Sequence, residues 1–159
     1  MPPPPAPAEI ETRLHAILTE HAGLEGPVLP ILHAVQAEWG HVPQETLPLI
    51  AEALNISRAE LHGVVSFYHD FRDAPAGRHM LKICRAEACQ ARGGKRIEDA
   101  ARAKLGVDWH GTTADGGVTL EPVYCLGLCA TGPAAMLDGR VVARLDETRL
   151  EALLSEAGA

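Results

Sequence analysis

Four cysteines constrain this chain more than any other feature. Cys84, Cys89, Cys125 and Cys129 all lie in the second half of its 159 residues, as two close pairs: C-x4-C, a gap of 35 residues, then C-x3-C. Neither pair makes a useful disulfide by itself, because the loop it would close is too short to remove much unfolded-state entropy. Disulfides are also rare in a reducing compartment, so a cross-paired framework requires an oxidising one. Two close pairs on separate loops are instead what a four-thiolate metal site needs. Structural zinc favours about two residues inside each pair, where a tight knuckle turns its backbone N–H groups toward the sulfurs. Spacings of four and three are wider and suit the longer [2Fe–2S] rhomb. Spacing favours that cluster and leaves zinc as the alternative. A thioredoxin-type redox pair needs C-x-x-C, which is absent.

Charge and composition narrow the setting. Lys and Arg number 14 against 21 Asp and Glu, a net charge of −7. That balance argues against a nucleic-acid partner, whose phosphates are bound through Lys and Arg. Apolar residues make up 47%, as in a globular chain, and aromatics only 4%, so the core must be aliphatic. No apolar run approaches the roughly 18 residues of a membrane span. Met1-Pro2-Pro3-Pro4-Pro5 has neither the basic start nor the apolar stretch of a secretory signal. The expected location is the cytoplasm.

Pattern divides the chain. Residues 1–8 hold five prolines and read as an extended, disordered tail. Residues 9–72 read as a small helical bundle. Ile10, Leu14, Ile17 and Leu18 recur at helical spacing, and Ile31, Val35 and Trp39 form a second stripe closed by Gly40. Leu47, Ile50, Ala51 and Leu54 form a third, starting at Pro43 or capped by Thr46. Ser57 with Glu60 spells a capping box for a fourth helix. Asp70–Arg78 reads as the boundary.

Residues 78–159 change period. Met80–Cys84 and Val118–Tyr124 read as strands, with a helix from Ile97 to Leu105 between them and a loop over residues 110–117. Ala134–Leu137 and Val141–Leu145 flank Asp138-Gly139, a type I′ hairpin signal. Asp146 caps a last helix. The order β-α-β-β-β-α predicts an α/β sandwich on a four-stranded sheet. The strands of one β-α-β unit are parallel and end on the same side. Cys84, at the end of the first, and Cys125, just past the second, therefore arrive at one sheet edge.

At this point the sequence resembles a known family. Val64-Val65-Ser66-Phe67-Tyr68-His69-Asp70-Phe71 is similar to the V-x-S-F-Y-x-x-F segment of the 24-kDa-type subunit of NADH:quinone oxidoreductase (complex I). Cys84-x4-Cys89 followed by Arg92-Gly93-Gly94, then Tyr124-Cys125-Leu126-Gly127-Leu128-Cys129, match that family's cysteine segments in order and spacing. The resemblance runs from about residue 10 to the C-terminus. It implies a thioredoxin-like α/β ferredoxin domain behind the helical bundle, with one [2Fe–2S] cluster on Cys84, Cys89, Cys125 and Cys129. It also implies an electron-transfer subunit, not an enzyme on its own, docked beside a flavoprotein subunit that carries FMN and binds NAD(H). Cys84-Arg85-Ala86-Glu87-Ala88-Cys89-Gln90 looks most like the gamma subunit of soluble NAD-dependent formate dehydrogenases. Those carry their molybdenum cofactor in a large Fe–S-containing catalytic subunit. The complex I subunit and the diaphorase subunit of NAD-linked hydrogenases are the near alternatives. Thr131-Gly132-Pro133 departs from the Asn or Ala more usual before that proline, and Pro133 stands where thioredoxin-like folds hold a cis-proline.

Electron transfer asks specific things of the neighbours. An oxidised cluster with its thiolates carries a charge of about −2, and one electron takes it to about −3. Gly127 is expected to permit close backbone approach between Cys125 and Cys129. Arg85 is a candidate for placing positive charge nearby, with Glu87 opposing it, unless both face solvent. The eight histidines show no metal spacing apart from His62 and His69. Phe67, Tyr68 and Phe71 serve either as packing between the halves or as an anchor at a subunit interface.

Overall fold

The computed structural model describes residues 7–159. The chain divides into two compact units, one reaching to Pro75 and the other spanning Ala76–Ala159. The charge is divided unequally between them. Residues 1–75 hold three Lys and Arg against ten Asp and Glu, whereas residues 76–159 hold eleven of each, so the whole −7 belongs to the first unit.

The first unit is helical: α1 (Pro7–His21), α2 (Val28–Trp39), α3 (Thr46–Ala53) and α4 (Arg58–Phe67). Helix α1 is described from Pro7, inside the expected tail; Pro suits a first turn, where its missing N–H needs no helical partner. The remainder of that tail, residues 1–6, lies outside the described residues. Helix α3 starts at neither expected position. Glu45 is its N-cap, and the Thr46 hydroxyl donates to Pro43 O at 2.6 Å. The Ser57–Glu60 capping box is formed in both directions, with N···O distances of 3.1 and 2.8 Å. Leu14, Ile31, Leu32, Val35, Ile50 and Leu61 form the core of this unit, and Phe71 packs among them. Phe71 therefore belongs to one unit's core, while Phe67 and Tyr68 are exposed.

The second unit is built on β1 (His79–Cys84), β2 (Val118–Val123), β3 (Ala135–Leu137) and β4 (Arg140–Val142), in spatial order β2-β1-β3-β4. Strands β1 and β2 are parallel, and β1–β3 and β3–β4 antiparallel. Three helices accompany the sheet: α5 (Glu87–Ala91), α6 (Gly94–Leu105) and α7 (Glu147–Glu156). This is the mixed α/β architecture expected. Helix α5, which the sequence pattern did not indicate, has five residues and is too short to show a period. Asp138 and Gly139 have φ of 50° and 85°, both positive as a type I′ turn requires, and Asp146 caps α7 by accepting from Arg149 N at 2.8 Å. Leu81, Ile83, Val118, Leu120, Ile97, Ala101, Leu150 and Leu153 fill the core. Each Leu, Ile or Val side chain buried in this way contributes roughly 1.5–3 kcal/mol. Among the described residues no helix is long and apolar enough to cross a membrane.

Candidate metal centre

The parallel pairing of β1 with β2 puts Cys84 opposite Val123, at the shared end of both strands. The chain leaves β1 into α5, which carries Cys89, and leaves β2 into the loop carrying Cys125 and Cys129. A 3-10 turn, Cys129–Thr131, then leads to the cis Gly132-Pro133 bond. Leu126 and Leu128 of the second loop pack on buried Cys84, Cys89 and Ala134, so both cysteine segments share one small apolar cluster.

The four sulfurs form two pairs of different character. Cys84 and Cys89 are 2% and 1% exposed, whereas Cys125 and Cys129 face solvent. All four are free thiols. The Cys125 and Cys129 sulfurs are 3.9 Å apart. Burial pushes the Cys89 thiol above its ordinary pKa. A hydrogen bond with Cys84 and the charges of Cys84 and Cys129 push the same way, against a backbone hydrogen bond from Ala134. Cys129 is raised first by its hydrogen bond and charge interaction with Cys125, then by burial and Cys84, against its own backbone N–H. Each sulfur pair thus feels the other. Among the described residues no three of His, Cys, Asp and Glu meet at a point where a single ion could sit.

Backbone donors surround these thiols. Gly127 N–H donates to Cys125 Sγ at 3.3 Å. Gly127 has φ +75°, and a Cβ on it would meet nothing within 4 Å. Its left-handed turn brings this N–H to the sulfur. At Gly132 the room is tight, since a Cβ there would lie 3.1 Å from Cys89 Sγ. Arg92 Nε donates to Gly132 O at 2.9 Å and so ties the segment after α5 to that turn. Arg85 is only partly exposed: its Nε lies 3.2 Å from Glu98 Oε2, and its guanidinium stacks 4.9 Å from the Trp109 ring centre.

The profile of the thioredoxin-like [2Fe–2S] ferredoxin family matches residues 14–158. The chain belongs to that family. A relative in Solidesulfovibrio fructosivorans, the HndA subunit of an NADP-reducing hydrogenase, is 29% identical over 83% of this chain and 77% of its own length. An NADH-quinone oxidoreductase subunit of Pseudomonas aeruginosa is 38% identical over 67% of this chain and 64% of its own length. For the subunit of the same name in Mycobacterium bovis, 32% identical, the chain spans about half of the relative's length, 54%. In the crystal structure of an air-oxidised NAD+-reducing [NiFe]-hydrogenase, a region is superposable with TM-score 0.69 and 24% identity, covering 82% of this chain and 22% of that one, and shows the fold.

The residues of this ferredoxin-family chain fit the family's cofactor. The donor set is all sulfur, divided into two pairs, with N–H donors at Cys89, Cys125 and Cys129 and a glycine making room beside Cys89. Cys84, Cys89, Cys125 and Cys129 are the groups available to hold it. Sequence reasoning missed Trp109 and Glu98 here, and named Arg92 and Gly132 only within motifs, with no role at the site. A signal existed for Glu98, which falls in phase with buried Gly94, Ile97, Ala101 and Leu105 on α6.

Proposed function

We propose that this chain is an electron-transfer subunit whose [2Fe–2S] cluster is held by Cys84, Cys89, Cys125 and Cys129. The observation that carries this reading is the meeting of both thiol pairs at one sheet edge, in a chain whose family is a [2Fe–2S] ferredoxin family. When bound, such a cluster accepts and releases one electron at a time.

The chain's own residues make that step tolerable. Gly127, Ala134 and the Cys129 amide donate toward sulfur, which favours its anionic form without adding a titrating group. Cys84 and Cys89 are shielded from water, whereas Cys125 and Cys129 are exposed. A redox partner therefore approaches from the Cys125–Cys129 loop, beside exposed Tyr124.

The proposed partner is an NAD(H)-binding flavoprotein subunit carrying FMN, in a soluble complex of the reducing cytoplasm. The acidic helical unit, with exposed Phe67 and Tyr68, docks on a basic surface of the complex. Residues 84–90 point to a formate dehydrogenase, with a large molybdenum- and Fe–S-containing catalytic subunit. A second reading, the equivalent subunit of an NAD-linked hydrogenase or of NADH-quinone oxidoreductase, is favoured by the relatives' names.

Iron, acid-labile sulfide and zinc measured on anaerobically purified protein test the central reading. Two irons and two sulfides per chain are expected. A colourless folded chain with one zinc would mean a zinc-stabilised interaction module instead. Molybdenum in the co-purified complex separates formate dehydrogenase from the alternatives. A complex that assembles equally well without residues 1–75 overturns the docking role.

A further inference from the structure

Glu98 is the most deeply buried carboxylate among the described residues, 2% exposed on α6. A buried carboxylate is costly unless partnered. Its partners come from the two residues that follow the buried cysteines. Arg85, next to Cys84, places Nε 3.2 Å from Oε2. That contact is an ion pair rather than an aligned hydrogen bond, since Nε is buried without a hydrogen-bond partner. Gln90, next to Cys89, donates its amide N–H to Oε1. The Trp109 ring closes the other side of the guanidinium. Gly94, at the start of the same helix, lies so close that a Cβ there would sit 2.8 Å from Cys89 O. Helix α6 is thus pressed against the Cys89 turn, and one carboxylate holds the residue after each buried cysteine.

We propose that Glu98 is a positioning residue for electron transfer: it anchors both ends of the Cys84–Cys89 segment and cancels the Arg85 charge beside the cluster. This rests on the reading of the four cysteines as cluster ligands. An unopposed guanidinium next to Cys84 would favour the reduced, more negative state. Neutralised by Glu98, Arg85 supplies shape through its stack on Trp109 and little net field. The sequence alone assigned the opposing charge to Glu87, which is nearby in the chain; the fold gives that part to Glu98.

The test is an anaerobic potentiometric titration of the cluster-loaded full chain, followed by visible absorption and EPR. Glu98→Gln removes the charge and keeps the shape. It is expected to retain iron and sulfide and to raise the reduced-to-oxidised ratio at the wild-type midpoint about tenfold, which is about 59 mV for one electron. Arg85→Gln with Glu98→Gln removes both charges and is expected to return near the wild-type ratio. Glu98→Asp keeps the charge and is expected to stay near wild type. A Glu98→Gln chain that titrates with the wild type overturns the proposal. So does a shift that persists undiminished in the double variant, which would trace it to altered shape. If Glu98→Gln loses its iron, retention by Glu98→Asp supports the anchoring role, and loss from both overturns it. A wild-type chain without iron and sulfide would instead remove the ligand reading itself.

Discussion

The Cβ that Gly132 lacks would lie 3.1 Å from the Sγ of Cys89. Gly132 has φ −65° and ψ 168°, a backbone that any residue adopts, so in Gly132→Ala this is the one tight new contact, those with Cys89 Cα and Arg92 Cδ at 3.6 and 3.7 Å being ordinary. Cys89 must yield by a few tenths of an ångström, at an overpacking cost of about 1–3 kcal/mol. The variant is expected to fold yet carry less iron and sulfide, measured per chain after anaerobic purification. Full occupancy would show that the contact does not limit the site.

Gly127→Ala separates conformation from contact. At φ +75°, with open space around it, an added Cβ meets no neighbour. The expected loss is the cost of a left-handed residue, about 1–2 kcal/mol. Gly127→Asn should recover part of it, because Asn visits that region more readily. Thermal unfolding of both variants decides.

Cys125→Ser removes one thiol from the exposed pair. The expected outcome is loss of the visible absorption together with a lower unfolding temperature for residues 76–159, since metal ligation contributes folding free energy. The helical unit, with its own core, keeps its far-ultraviolet signal. An unchanged melting profile would contradict this.

Leu32 is fully buried in the helical unit. Leu32→Ala is expected to cost about 2–5 kcal/mol there. Because the second unit has a separate core, its visible spectrum should be untouched at temperatures where the helical unit has melted. Simultaneous loss of both signals would mean that the two units unfold as one.

Asp138 gives a pH dependence with a defined sign. Burial raises its pKa, but hydrogen bonds from His79 and from Met80 N–H, with the charges of His79 and Arg140, outweigh burial and hold it below its ordinary value. A carboxylate depressed in the folded state stabilises fully above its unfolded pKa, about 3.9, and loses that contribution as pH falls through the folded value. Asp138→Asn keeps a residue that tolerates φ 50° while removing the charge. It should be less stable than the parent near pH 6, with the gap closing below about pH 4. A gap independent of pH in denaturant titrations would exclude the charge as its source.

Much of this molecule was readable one segment at a time. The Ser57–Glu60 box, the Asp146 cap and the Asp138-Gly139 turn act over a few residues, through dihedral preferences and hydrogen bonds that the local residues carry with them. The meeting of the two cysteine pairs was readable as well, because a β-α-β crossover ends both strands on one side. Their unequal exposure was not. Nor was the pairing of Glu98 with Arg85, the clearance that Gly132 leaves for Cys89, or the stacking of Trp109 on Arg85. Each of these depends on which residues from distant parts of the chain occupy the same few ångströms. Local residue chemistry set most of the elements, their order and the four thiols. Long-range packing chose which sulfurs are dry, which glycine makes room, and which carboxylate stands behind them, because those choices exist only once remote segments meet.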